Sequence, residues 1–185
     1  MNIFVLDKDP ATSAFMHCDK HVVKMILESA QMICTTHHLT SDGTYNIPYR
    51  PVHKNHPCTV WLRESLSNYE WLMSLTYWLN FEYRYRFNRK VNHKSYDAIM
   101  PLPTPNIKDI GLTPFALAMP DECKMNDAVD SYINYYNTHK SHLLMYTKRM
   151  PNSLFPSATH KVGGKEMNVK HTDKSIKGER VVSID

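Results

Sequence analysis

One stretch, from His17 to Gln31, constrains the fold more than any other in the chain. At 100° per residue, His17, His21, Lys24, Glu28 and Gln31 fall in one narrow sector of a helix. Val22, Val23, Ile26, Ala30 and Ile33 fall on the opposite side, as a core-facing stripe requires. A helix over this stretch must therefore bury one side and present imidazoles, an ammonium and a carboxylate on the other. The ordinary reading of such a face is a solvated surface, its Lys24–Glu28 pair at i,i+4 worth about 0.2–0.5 kcal/mol. The functional reading is a site.

Around this helix the chain can be taken in order. Ile3-Phe4-Val5-Leu6 is a short apolar segment that anchors the N-terminus in the core and so fixes the α-amino group. Asp9-Pro10 reads as an N-cap and first helical residue, and the helical pattern runs on, with a break near Asp19, to about Thr36. Residues 39–57 hold Gly43, three prolines and several turn formers, which predicts a long loop of the functional or mobile kind. From Pro57 to about Phe87, Trp61, Leu62, Leu66, Tyr69, Leu72, Leu75 and Leu79 are spaced for one buried face, the pattern of a central core helix. Arg84, Arg86, Arg89 and Lys90 at its end suit the helix dipole and also form a candidate phosphate-binding patch.

Five prolines between residues 100 and 121 predict extended, irregular chain. A last helix is expected from about Asn126 to about Met145, with Val129, Tyr132, Ile133 and Tyr136 as its stripe. Beyond Pro151 the composition predicts a flexible tail, with Val181-Val182-Ser183-Ile184 as a candidate edge strand. The expected fold is mainly α: a single compact helical domain over residues 1–150 with long Pro-rich loops, followed by a flexible C-terminal tail over 151–185.

The 185 residues, 42% hydrophobic and 22% charged, have the balance of one soluble globular domain. No apolar run approaches the ~18 residues of a membrane span, and the N-terminus lacks the charged and apolar regions of a signal peptide. A cytoplasmic setting is expected, the host cytoplasm if the chain is viral. Cys18, Cys34, Cys58 and Cys123 are scattered without C-x-x-C spacing and read as free thiols. A net charge of +4 with eleven histidines permits a nucleic-acid partner. Eleven tyrosines and three tryptophans among basic residues add rings on which bases can stack.

Several chemistries are disfavoured. His17 and His21 stand at i,i+4, with His37, His38, His53, His56 and Cys58 following, yet no zinc motif is complete and no metal is expected. A phosphate-cradling glycine loop is absent, Gly163-Gly164 lying in the tail, so no nucleotide or other cofactor is expected. There is no G-x-S-x-G elbow. Cys18, beside His17 and three residues from His21, has a reading as an activated thiolate, but a semi-buried free cysteine is simpler. Glu28 is left as the best single candidate for acid–base chemistry.

Asp19-Lys20-His21, followed after six residues by Glu28, resembles the first helix of the pyrimidine-dimer DNA glycosylase/AP-lyase family of the phage endonuclease V type. A short apolar segment precedes that helix in the family as well. Lys54-Asn55-His56-Pro57 resembles the family's basic, Pro-containing entry to its central helix. Tyr132-Ile133-Asn134-Tyr135-Tyr136 resembles its aromatic segment near the C-terminus. The likeness touches three segments in the same order across residues 1–148.

The resemblance implies definite chemistry. In that family the N-terminal α-amine attacks the sugar C1′ of a damaged nucleotide, the base leaves, a Schiff base forms, and β-elimination nicks the strand. An amine nucleophile must be neutral to attack. A residue as large as Asn2 usually leaves the initiator methionine in place, so the amine would belong to Met1. Glu28 would stabilise the developing sugar cation and shuttle protons, and His21 would position the site. Leu27, Gln31 and Asn2 stand where the family carries arginines. Contacts to double-stranded DNA would therefore come from Asn2, Lys24, Gln31, His53, Lys54, Asn55, His56, Arg84, Arg86, Tyr135, Tyr136 and Lys140.

Two alternatives stay open: an enzyme that modifies a base, or processes a modified one, on the same scaffold, and a non-enzymatic nucleic-acid-binding module.

Overall fold

The computed structural model describes residues 1–168. Six α-helices carry most of the structure: α1 Pro10–Met16, α2 Asp19–Thr40, α3 Pro57–Leu62, α4 Leu66–Arg86, α5 Lys94–Ile99 and α6 Ala128–His139. Single 3-10 turns lie at Asp121–Cys123 and Ser141–Leu143. A small sheet closes the described chain, with β1 (Met145–Thr147) parallel to β2 (Thr159–Val162) and β2 antiparallel to β3 (Lys165–Asn168). The architecture is mainly α with this one sheet added.

Local chemistry sets the helix starts. Asp9 caps α1 by accepting from the Thr12 amide at 2.8 Å, with Pro10 in the first turn. Asp127 caps α6 through the Val129 amide at 2.7 Å. His56 caps α3 with an imidazole: its Nδ1 accepts from the Cys58 amide at 3.2 Å, ahead of Pro57. Between α1 and α2 the chain is extended at His17 and Cys18, so the break expected near Asp19 separates two helices.

The helix expected to run unbroken from Pro57 to Phe87 is two helices. The gap over residues 63–65 exists because the Pro-rich segment supplies better partners there than a continuous helix would. Asp109 accepts from Ser65 Oγ, the Ser67 amide and Ser67 Oγ at 2.7–3.1 Å, and from the Gly111 amide. Asn68 donates to the Trp61 carbonyl and to Thr113 Oγ1. The hydrogen bonds from Ser67, Gly111 and Ser65 lower the Asp109 carboxyl to a pKa of about 2.

α2 lies at the centre, packing against α3, α4, α5 and β1. The N-terminal segment runs alongside with Ile3, Val5 and Leu6 buried. One residue of the expected α2 stripe, Val23, faces solvent beside Leu27. α5 had no sequence signal, and α6 is shorter than expected. Residues 151–168 do not behave as a tail: Phe155 and Ala158 are buried in the core, and β2 pairs with β1. Gly163 and Gly164 close the β2–β3 hairpin, both with positive φ, the conformation a tight two-residue hairpin turn demands. The edge strand expected over 181–184 lies outside the described residues.

A buried charge network ties the layers together. Arg86 is 1% exposed. It donates to Glu82 at 2.6 Å, to Asp19 at 3.2 Å and to the carbonyls of His17 and Phe15 at 2.7 and 2.9 Å. Arg149 grips the other side of Glu82 at 2.6 Å, and Asp19 accepts from the Thr147 amide and hydroxyl. Two cations and two carboxylates thus join the end of α1, the start of α2, the end of α4 and β1.

Candidate active site at the N-terminal amine

Asn2 fixes where the chain begins. Its side-chain amide donates to the Ala118 carbonyl at 2.7 Å, and its side-chain oxygen accepts from the Ile3 amide at 2.8 Å. Expected as a DNA contact, Asn2 is buried and acts as a clamp. The Met1 side chain is 3% exposed, with its sulfur accepting from Thr59 Oγ1 at 3.6 Å. The residue as a whole is only half-buried, so what remains open is its main chain, where the amine sits.

The α-amino nitrogen lies 3.7 Å from Glu28 Oε2, the same oxygen that accepts from the Asn2 amide at 2.9 Å. Lys24 Nζ meets the other oxygen, Oε1, at 3.1 Å. The polar sector of α2 is thereby split: Lys24 is 62% exposed, while the Glu28 side chain is 12% exposed. The pairing of Lys24 with Glu28 is present, but as one arm of a three-way contact that no helix-surface argument contains.

His56 belongs to the same neighbourhood. Burial holds its pKa below the ordinary histidine value, the positive N-terminal amine and His53 push the same way, and Glu28 opposes them. Since Nδ1 accepts the capping hydrogen bond, the neutral ring carries its proton on Nε2. His53, Lys54 and Asn55 are exposed on the turn leading to it, with the Lys54 carbonyl held by Arg63 at 2.7 Å.

His21, on the same helix, is packed into the core beside the N-terminal segment. Its ring stacks on Phe4 with centroids 4.4 Å apart and planes 21° apart, and its Nδ1 hydrogen-bonds Tyr136 Oη at 2.6 Å. Burial first, then His17, Lys140, Lys24 and Lys20, drive its pKa down to about 3, so the ring is neutral. Phe4 has φ of 43°, a left-handed conformation costly for a bulky residue. His21 on one face and Tyr135 on the other, at 5.9 Å, hold it there.

The remaining expected residues divide. Tyr135 is half-buried and carries Lys140 Nζ 4.9 Å above its ring, beside the His21–Phe4 stack. Tyr136 is fully buried as the partner of His21 and cannot contact DNA. Gln31 lies half-buried one turn beyond Glu28. Arg86, expected to bind phosphate, is committed to the buried network, and Arg84 is exposed on the far side of α4. Sequence reasoning missed Thr59, Phe4 and the Ala118 carbonyl. Only the apolar character of residues 3–6 hinted at Phe4, and nothing marked the other two.

All four cysteines are unpaired and buried. Among the described residues, no three His, Cys, Asp or Glu side chains gather as a metal ion would need, and no helix is long and apolar enough to cross a membrane. The chain matches no protein-family model, no curated protein and no solved structure.

Proposed function

We propose that the chain is a DNA glycosylase with AP-lyase activity on damaged pyrimidines, acting through the α-amine of Met1 and the carboxylate of Glu28. The single observation that carries this reading is the 3.7 Å approach of the amine to the carboxylate, with the Met1 side chain buried and its main chain left partly open. A neutral amine attacks C1′ of the damaged nucleotide, and the C1′–N bond breaks, its electron pair and a proton leaving with the base. The nitrogen keeps its remaining hydrogen and pushes its lone pair to C1′ as O4′ leaves and takes a proton, so the opened sugar is held as the protonated iminium. Removal of a C2′ proton then expels the 3′-phosphate.

Glu28 suits two of these duties. It can take the proton an ammonium must lose before attack, and its charge can stabilise positive character at C1′. Lys24, on Oε1, keeps the carboxylate oriented with Oε2 toward the amine. Lys54, Lys140 and Lys24 supply cations around the opening, and His53 a hydrogen-bonding ring, for the phosphates of a duplex whose target nucleotide leaves the stack.

Borohydride trapping on an abasic or UV-irradiated duplex tests the reading, with intact-mass measurement establishing that Met1 carries a free amine. A covalent adduct that disappears when the N-terminus is extended is the expected result. Folded, duplex-binding protein that gives no adduct on either DNA overturns the lyase and leaves base modification or plain binding on the same scaffold.

A further inference from the structure

The outward side of α4 carries a feature that its packing does not require. Tyr77, Phe81 and Tyr85 follow one another at i,i+4, about 6 Å apart along the axis, and are 50%, 44% and 42% exposed. The apolar needs of this helix are met on its opposite side by Leu72, Leu75 and Leu79. The exposed rings are ordered. Phe81 and Tyr85 lie within 10° of parallel at 6.4 Å, and Trp78 packs edge-on against Tyr77 and Phe81 at 5.2 and 5.8 Å.

Cations frame the ladder. Lys148 Nζ sits 5.2 Å and Arg149 Cζ 4.5 Å from the Tyr85 ring. Arg84 projects beside the rings, bounding with Tyr77, Phe81 and Tyr96 a cleft of about 190 Å³. Arg89 and Lys90 follow directly after the helix, and all three are exposed. Glu82, the carboxylate on this part of α4, is turned inward and held by Arg86 and Arg149. The face is therefore aromatic and positive at once.

We propose that this face binds single-stranded nucleic acid, with bases stacking on Tyr77 and Phe81 and phosphates meeting Arg84, Arg89, Lys90 and Lys148. In a duplex the π-faces of the bases are covered by their neighbours, whereas an unpaired strand can offer them to protein rings. Among the described residues Arg84, Arg89, Lys90 and Lys148 form no ion pair with a carboxylate, Lys148 bonding only the Tyr85 carbonyl and Asn88, and a strand carries the charge they would meet. The surface shares no residue with the Met1–Glu28 site, and the inference stands whether or not that site is a lyase.

Anisotropy of a labelled oligothymidine, titrated against salt, tests it, with a duplex of equal length for comparison. The single strand binds more tightly than the duplex. Tyr77→Ala with Phe81→Ala weakens oligothymidine binding at least about tenfold while leaving the salt slope unchanged. Arg84→Gln with Arg89→Gln reduces the salt slope by about 1.4, as loss of two phosphate contacts requires. If the double alanine variant melts early, Phe81→Leu keeps the apolar bulk, removes the stacking face and gives the same readout. Wild-type affinity in the folded aromatic variants overturns the proposal and leaves the face as a protein contact.

Discussion

Glu28 Oε2 receives both the α-amine of Met1, at 3.7 Å, and the main-chain amide of Asn2, at 2.9 Å. One carboxylate oxygen thus holds the first two residues of the chain, and the second is held by Lys24 at 3.1 Å. Replacing Glu28 with Gln keeps an oxygen for the Asn2 amide but removes the charge and the base. Glu28→Gln should lower the single-turnover rate of strand cleavage by about 10²–10⁴ with melting within a few degrees of wild type. A variant that cleaves at the wild-type rate would remove Glu28 from the chemistry.

On the proposed function His21 positions the site rather than reacting, since its ring stacks on Phe4 and its Nδ1 bonds Tyr136 rather than the amine. His21→Phe keeps the stack and strands the Tyr136 hydroxyl, at a cost of about 1–3 kcal/mol. Adduct formation should survive within about tenfold in His21→Phe and fall much further in His21→Ala, which removes the ring that steadies Phe4. Equal loss in both variants, with both folded, would point to an acid–base role for the imidazole.

The Arg86 network makes a different prediction. Arg86→Met leaves Asp19 without its cation, Glu82 with Arg149 alone, and two main-chain carbonyls without donors. Breaking a buried pair from one side costs about 3–5 kcal/mol. Urea unfolding should show that loss as a lower midpoint at unchanged slope. A loss below about 1 kcal/mol would mean the network rearranges around the gap.

Acid should destabilise the fold well before carboxylates titrate. Burial lowers the pKa of His17 to about 4 and of His21 to about 3, and His37, between the hydroxyls of Tyr45 and Tyr69, lies at about 4. In the unfolded chain these rings titrate near 6.5. Below that pH the unfolded state takes up protons that the folded state refuses, so stability rises with pH across the window. It is complete above about 6.5 and is lost as pH falls toward 4, for fully buried His17 by ~1.4 kcal/mol per pH unit. Thermal melts at pH 7.5 and 5 measure this. Equal stability at the two values would mean the rings are charged in the fold.

Much of the scaffold was legible because its causes are local. Asp9-Pro10, Pro57 and the spacing of apolar residues between Val22 and Ile33 act within a turn or two of chain, and helices stand at those places. The division of the 57–87 helix was not legible, because its cause is Asp109, more than forty residues from the serines it binds. Residues 151–168 read as a tail because aromatics are few and Lys, Gly and Ser recur there, yet Phe155 and Ala158 are buried in the core and β2 pairs with β1.

By itself, then, the sequence determined that a helix would carry His21, Lys24 and Glu28 near one another, and that residues 3–6 would be drawn inside. Both follow from periodicity and from the free energy of removing apolar surface from water. Only the tertiary structure decided which of the polar groups would serve a site and which would be spent on the fold. Arg84 and Arg86 are both charged ends of one helix in the sequence, but a two-residue step turns one to solvent and the other toward Glu82, Asp19 and two carbonyls. The meeting of Met1 with Glu28 likewise depends on Asn2 reaching Ala118, 116 residues away. Contacts of that separation are set by how the helices pack, and no local pattern encodes them.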